Sequence, residues 1–161
     1  MNSTPSSLPH IGLGWDTHRL EAGQDCILGG VLLDSPVGPV GHSDGDALLH
    51  ALTDALLGAA GLDDIGTLFP DTYKENKNRD SADFVKAAMH AVQQNGLQVA
   101  SVDCVLICDE PRLGPYRPAI RARMAELLHL CETRVNLKGK TTEGGDAKRI
   151  TVQVVVLLVN A

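Results

Sequence analysis

Hydrophobic and polar positions along the chain follow two periods. Between His10 and Trp15 apolar residues alternate with glycine, which predicts a strand. Cys26–Leu33 predicts a second strand, and the SPVGPVG segment after it a loop. The segment 46–60 is apolar at nearly every position and predicts a helix. Ser43 stands before it and Asp46 three residues later, an arrangement like a capping box. Residues 62–77 predict mostly loop around a Phe-Pro-Asp turn. In 81–95, Phe84, Val85, Ala88, Met89 and Val92 recur at helical spacing, and Asn95-Gly96 ends that helix. The segment 97–108 predicts a strand, 117–130 a helix, and 135–141 and 150–159 two closing strands. The pattern is that of an α/β chain of α+β type: a single domain, with a mixed β-sheet and helices packed on one face. Residues 1–9 read as a flexible tail and 10–161 as that domain.

Composition narrows the function. The chain has 161 residues, enough for one domain with a real core. A formal charge of −6 argues against a protein that grips the nucleic-acid backbone. The longest apolar run, Val154–Val159, is too short to cross a membrane. The start, MNSTPSSLPH, lacks a basic and an apolar segment, so no signal peptide is read and a cytoplasmic location is expected. The four cysteines form no CxxC pair and are expected to be reduced.

The 46–60 helix carries the main chemical clue. Asp46, His50 and Asp54 are spaced i, i+4, i+8 and form one polar stripe on an otherwise apolar helix. Such a stripe needs partners, because buried polar groups without them are costly. Asp16 and His18, two residues apart on an extended segment, point the same way and are able to face His50. Two imidazoles and a carboxylate suit a catalytic zinc site with an open fourth position, and suit equally a metal-free hydrogen-bond network.

Three further clusters stand out. Gly41-His42-Ser43-Asp44-Gly45-Asp46 precedes the helix and reads either as an anion-binding turn or as an ordinary capped loop. Asp63, Asp64 and Asp71 lie in a Gly/Pro-rich loop and read as ligands for sugar hydroxyls or a hard cation, or as a solvated acidic loop. The segment 138–146, KGKTTEGGD, lacks the GxxxxGK[ST] spacing of a nucleotide-triphosphate loop. Its Thr, Lys and Glu still suit phosphate oxygens and a divalent ion.

Taken together, WDTHRL, ILGG, GHSDGDALLHALTDALLGAAGLDDIGTLFPDT, SVDCVLICDEPRL and VNLKGKTTE resemble the 2-C-methyl-D-erythritol 2,4-cyclodiphosphate synthases in order and spacing, from about His10 to Val159. These are cyclising enzymes of the non-mevalonate isoprenoid pathway. The resemblance implies that the 2-phosphate of 4-diphosphocytidyl-2-C-methyl-D-erythritol 2-phosphate attacks the nearer diphosphate phosphorus, releasing CMP. It implies one zinc ion (Zn2+) per subunit on Asp16, His18 and His50, and a magnesium or manganese ion (Mg2+ or Mn2+) on Glu143. His42 and Thr141 fall where the family holds the phosphates for attack. Ser43, Asp64, Ile65, Gly66, Phe69, Pro70, Asp71, Thr72 and Tyr73 map to the erythritol-phosphate side. Cys108, Asp109, Glu110, Pro111, Arg112, Leu113, Gly114, Lys140 and Thr142 map to the cytidine diphosphate side. Asp46 and Asp54 are expected to orient His50 or His18.

The family is a homotrimer with sheets facing the three-fold axis and active sites between subunits, and the apolar ITVQVVVLLV run suits a strand near that axis. With no nucleotidyltransferase domain fused, a single activity is expected. The sequence departs from the family at Gly144–Arg149, a shorter and glycine-rich loop in which a usual arginine is lost and Lys148 and Arg149 are the candidates to replace it. Gly114 stands where a larger apolar residue is common, and Trp15 replaces a usual phenylalanine. Two other readings are another metal-dependent phosphoester enzyme on this scaffold, and a non-catalytic trimer that binds a nucleotide or isoprenoid diphosphate.

Overall fold

A computed structural model of the chain describes residues 8–70 and 72–161. Its centre is a five-stranded sheet in the order β4-β1-β7-β5-β6, built from β1 (His10–Ala22), β4 (Val37–Pro39), β5 (Leu97–Ile107), β6 (Val135–Lys140) and β7 (Arg149–Asn160). β1 runs antiparallel to β4 and β7, β7 antiparallel to β5, and β5 parallel to β6, so the sheet is mixed. A separate hairpin joins β2 (Cys26–Leu28) to β3 (Val31–Leu33). The helices are α1 (Ala47–Ala59), a short α2 (Ile65–Leu68), α3 (Ser81–Gln94) and α4 (Arg117–Leu128). None of the described helices is long and apolar enough to cross a membrane.

Four local expectations need correction. β1 does not stop at Trp15 but continues through Ala22, because Asp16–Arg19 stay in register with β7 although their polarity breaks the alternation. The segment 26–33 is two short strands, since Gly29 and Gly30 both adopt positive φ and turn the chain. SPVGPVG contains β4, an edge strand in which Pro39 is tolerated. The 62–77 segment includes α2 and a single 3-10 turn at Lys74–Asn76.

The core fills one side of the sheet. Ile150, Val152, Val154, Val156 and Leu158 alternate along β7 and are all fully buried under the helices. Among the described residues nothing covers the opposite face: Ile11 is 72% exposed, Leu13 69% and Trp15 53%.

α1 is buried almost all round and lies unusually close to β1. Gly12 and Gly14 make this possible. A Cβ on Gly14 would fall 1.7 Å from the carbonyl oxygen of Ala51, and one on Gly12 1.9 Å from that of Ala55. The approach sets His50, next to Ala51 on α1, against Asp16 and His18 on β1.

Candidate active site

Three ligand atoms converge where α1 crosses β1. Asp16 Oδ2 is 2.8 Å from His18 Nε2 and 3.1 Å from His50 Nδ1, and the two nitrogens are 3.3 Å apart. Ligands about 2.1 Å from a tetrahedral ion stand roughly 3.4 Å from one another, so modest opening of this triangle seats a cation. Among the described residues this is the one cluster of three His, Cys, Asp or Glu side chains able to share a metal ion.

The hydrogen bonds around the triangle suit a metal. His18 Nδ1 lies 2.8 Å from the Val40 carbonyl oxygen, which only accepts, so Nδ1 carries a proton and Nε2 faces the cluster. His50 Nε2 lies 2.9 Å from both Ser43 Oγ and Ser81 Oγ, leaving Nδ1 for the cluster. Without a metal, the Asp16 contacts are met by protons on the imidazoles. Burial pushes the Asp16 carboxyl up, but the bonds and charges of His18 and His50 outweigh it and hold it at about 2. Burial pulls the His18 imidazole down, and its bond to and charge attraction from Asp16 raise it on balance.

The sign for stability follows. A depressed carboxyl contributes stability above the ordinary value of 3.8, lost as pH falls toward about 2. A raised imidazole contributes stability below the ordinary 6.5, lost as pH rises through its folded value. Thermal unfolding of metal-free protein is expected to show the acid-side loss, and Asp16→Asn to flatten it. An equally steep acid profile in Asp16→Asn would assign the loss to other carboxyls.

The triad opens into a cavity of about 340 Å³ that is also lined by His42, Ser43, Asp54, Ile65, Gly66 and Phe69. A second cavity, of about 610 Å³, opens at the ends of β5 and β6. Every residue from Cys108 to Gly114 lines it, with Lys140 and Thr141. β7 separates β1 from β5 in the sheet, so the two cavities occupy different parts of one chain.

A model of the YgbB family matches residues 10–159. The chain belongs to the YgbB family. Among curated YgbB-like relatives, the 2-C-methyl-D-erythritol 2,4-cyclodiphosphate synthase of Neisseria gonorrhoeae is 50% identical over 153 residues, spanning 92% of this chain and 96% of its own. The synthase of the same name from Thermus thermophilus is 47% identical over 148 residues, spanning 92% and 97%. A solved structure of 2C-methyl-D-erythritol-2,4-cyclodiphosphate synthase in its CDP-bound form superposes with a TM-score of 0.89 at 46% identity, covering 92% of this chain and 99% of that one.

The remaining predicted residues of this YgbB-family chain are placed as follows. Asp64 caps α2, accepting from the Thr67 N–H, and is exposed. The Pro70 carbonyl accepts from the amide of the buried Asn76, which braces the loop after Phe69; Thr72 and Tyr73 are exposed beyond it, and Asp71 lies outside the described residues. The Asp109 carboxylate accepts from both the N–H and the hydroxyl of Thr142. Thr141 donates to the Glu143 carboxylate, and Glu143 adopts a positive φ of 52°. The 144–149 segment is a turn held by bonds within it and to its neighbours. Gly145 N–H donates to Thr142, Lys148 N–H to Asp146, and the Arg149 guanidinium meets Asp146 and Thr17. All four cysteines are unpaired; only Cys131 is exposed.

Asp46 and Asp54 bond elsewhere than expected. The fully buried Asp46 carboxylate accepts from the N–H groups of Gly29, Gly30 and Leu49. It therefore caps α1 and holds the β2–β3 turn, where Ser43 had been the expected cap. Asp54 accepts from Ile65 N–H and ties α2 to α1. Asn76 and Ser81 carry no signal in the sequence, Phe84 reads there only as a core position of its helix, and Asp44 only as a member of the turn before α1. Ser81 reaches the site through tertiary packing, with no periodicity to reveal it.

Proposed function

We propose that this YgbB-family enzyme cyclises 4-diphosphocytidyl-2-C-methyl-D-erythritol 2-phosphate to 2-C-methyl-D-erythritol 2,4-cyclodiphosphate, releasing CMP. In class this is a phosphorus–oxygen lyase of isoprenoid precursor synthesis, working in the cytoplasm. The observation that carries the reading is the convergence of the Asp16, His18 and His50 ligand atoms at the mouth of a cavity lined by His42 and Ser43. Its support is the activity that close relatives are named for.

An oxygen of the 2-phosphate forms a bond to the nearer diphosphate phosphorus. The bond from that phosphorus to the bridging oxygen breaks, and CMP leaves with the electron pair. The nucleophile is already an anion, so alignment and charge neutralisation set the rate. Asp16, His18 and His50 would hold a zinc ion, which would supply positive charge to phosphate oxygens. His42 and Ser43 donate hydrogen bonds that orient the attacking phosphate, and Thr141 aligns the diphosphate. Glu143 would hold a magnesium or manganese ion there, and the 108–114 loop would take the cytidine.

The homotrimer belongs to this reading. His42 and Thr141 line different cavities of one chain, so a neighbouring subunit is needed to bring both to one substrate. The bare Ile11, Leu13 and Trp15 face offers the apolar surface for such an assembly.

The test is phosphorus NMR of the products made with magnesium or manganese present. The cyclic diphosphate and CMP are expected in equal amounts, and the Glu143→Gln variant is expected to lose turnover while keeping zinc and its fold. A linear phosphate product would instead point to another phosphoester reaction on this scaffold. An unchanged rate in Glu143→Gln would remove that residue from the metal role.

A further inference from the structure

We propose that Ser81 and Asp44 are positioning residues that hold the His50 imidazole as a metal ligand and leave the Ser43 hydroxyl free for a ligand oxygen. The inference rests on the reading of Asp16, His18 and His50 as a metal site. It follows from accounting for each proton around His50 Nε2.

With Nδ1 turned to the cluster as a ligand, Nε2 carries the proton. Two hydroxyl oxygens stand 2.9 Å from it, Ser43 Oγ and Ser81 Oγ, and one N–H serves one of them well. Ser81 is the committed acceptor. Its Oγ is 2.5 Å from Asp44 Oδ1, and a carboxylate only accepts, so the Ser81 proton points at Asp44. What Ser81 turns toward His50 is a lone pair. The proton path is thus directional: His50 Nε2–H donates to Ser81, and Ser81 O–H donates to Asp44.

The relay is built rigidly. Ser81 is fully buried in the first turn of α3. Asp44 is clamped there by the N–H of Ser81 at 3.0 Å and the N–H of Asp46 at 3.1 Å. A carboxylate at the far end polarises the hydroxyl, which strengthens its acceptance from Nε2–H and raises the donor power of Nδ1.

Ser43 is left with its proton unspent. It cannot donate to a protonated Nε2, its 3.5 Å contact with Ser81 is at the limit of a bond, and its oxygen already accepts a long bond from Gly45 N–H. Ser43 lines the 340 Å³ cavity beside His42, so its hydroxyl is the donor available to an anionic ligand there.

The test measures zinc affinity of the full-length protein by chelator competition, together with the visible spectrum of the cobalt-substituted protein. Ser81→Ala is expected to weaken zinc about 10–100-fold and to alter the cobalt bands. Asp44→Asn removes the charge but keeps an acceptor, so a smaller loss in the same direction is expected. Adding Asp44→Asn to Ser81→Ala is expected to cost nothing more, because the charge no longer reaches His50. Ser43→Ala is expected to keep zinc affinity and cobalt spectrum and to raise KM. Ser81→Thr, which keeps the hydroxyl, is expected to restore binding.

Unfolding of the metal-free variants checks the fold, and if Ser81→Ala does not fold, the near-isosteric Asp44→Asn decides. Wild-type zinc affinity and cobalt spectrum in the folded relay variants would overturn the proposal, as would additive losses in the double variant. A wild-type protein that binds no zinc would overturn the metal-site reading instead.

Discussion

A Gly14→Val variant is expected to lose stability and the metal site together. Any Cβ at this position overlaps the Ala51 carbonyl, and the clash is with helix backbone, which cannot rotate away as a side chain tip would. α1 must therefore lift off β1, and overpacking of this kind costs about 3 kcal/mol or more. The same displacement carries His50 away from Asp16 and His18, whose ligand atoms now sit within 3.3 Å of one another. Urea unfolding and zinc titration on one preparation would read both effects. Gly58→Ala is the control. It lies on the same helix with nothing within 4 Å of the added carbon. It is expected to stabilise the chain by about 0.5–1 kcal/mol and leave zinc binding intact. A Gly14→Val protein with wild-type stability and zinc affinity would show that the close glycine contact does not set the site.

Loss of one ligand is expected to have the largest effect on turnover. Asp16→Asn keeps the shape of the side chain but removes the negative charge that draws a cation to two neutral imidazoles. His50→Gln removes the ligand contributed by α1. Each is expected to reduce zinc below stoichiometric binding and to lower kcat by about 10²–10³-fold or more, the cost of deleting a main electrostatic element from a phosphate site. The loss should fall on kcat rather than KM, because the cytidine end of the substrate is assigned to the separate 108–114 cavity. A purely KM effect would mean that the triad binds substrate without acting on the reacting phosphates.

The sequence was most informative where chemistry interrupts periodicity. A helix as apolar as α1 has no use for His50 unless it finds polar partners, and Asp16 and His18 at i, i+2 in an extended segment were the available ones. Their meeting in space needed something the pattern shows only weakly. Gly12 and Gly14 read as strand alternation, and their part in admitting α1 is visible only as the missing space for a Cβ.

Asp46 illustrates the opposite case. It shares the helical stripe with His50, but its buried carboxylate is spent on three backbone N–H groups, two of them from a hairpin far back in sequence. A stripe predicts which residues share a face, not where their hydrogen bonds go. Ser81 was hidden for a related reason: it looks like an ordinary residue near a helix start, and only packing of α3 against α1 brings it to His50 and to Asp44, which the sequence offers only as part of the turn before α1. The short strand β4 escaped because its Pro and Gly content is that of a loop, which an edge position accommodates.

The most direct test of the account is to count zinc and CMP on the same purified protein, supplied with the diphosphocytidyl substrate and magnesium or manganese. About one zinc per chain is predicted. CMP release should fall as zinc is stripped and return when it is restored. CMP release that persists at full rate in zinc-free protein would contradict the assignment of Asp16, His18 and His50 as the centre of the reaction.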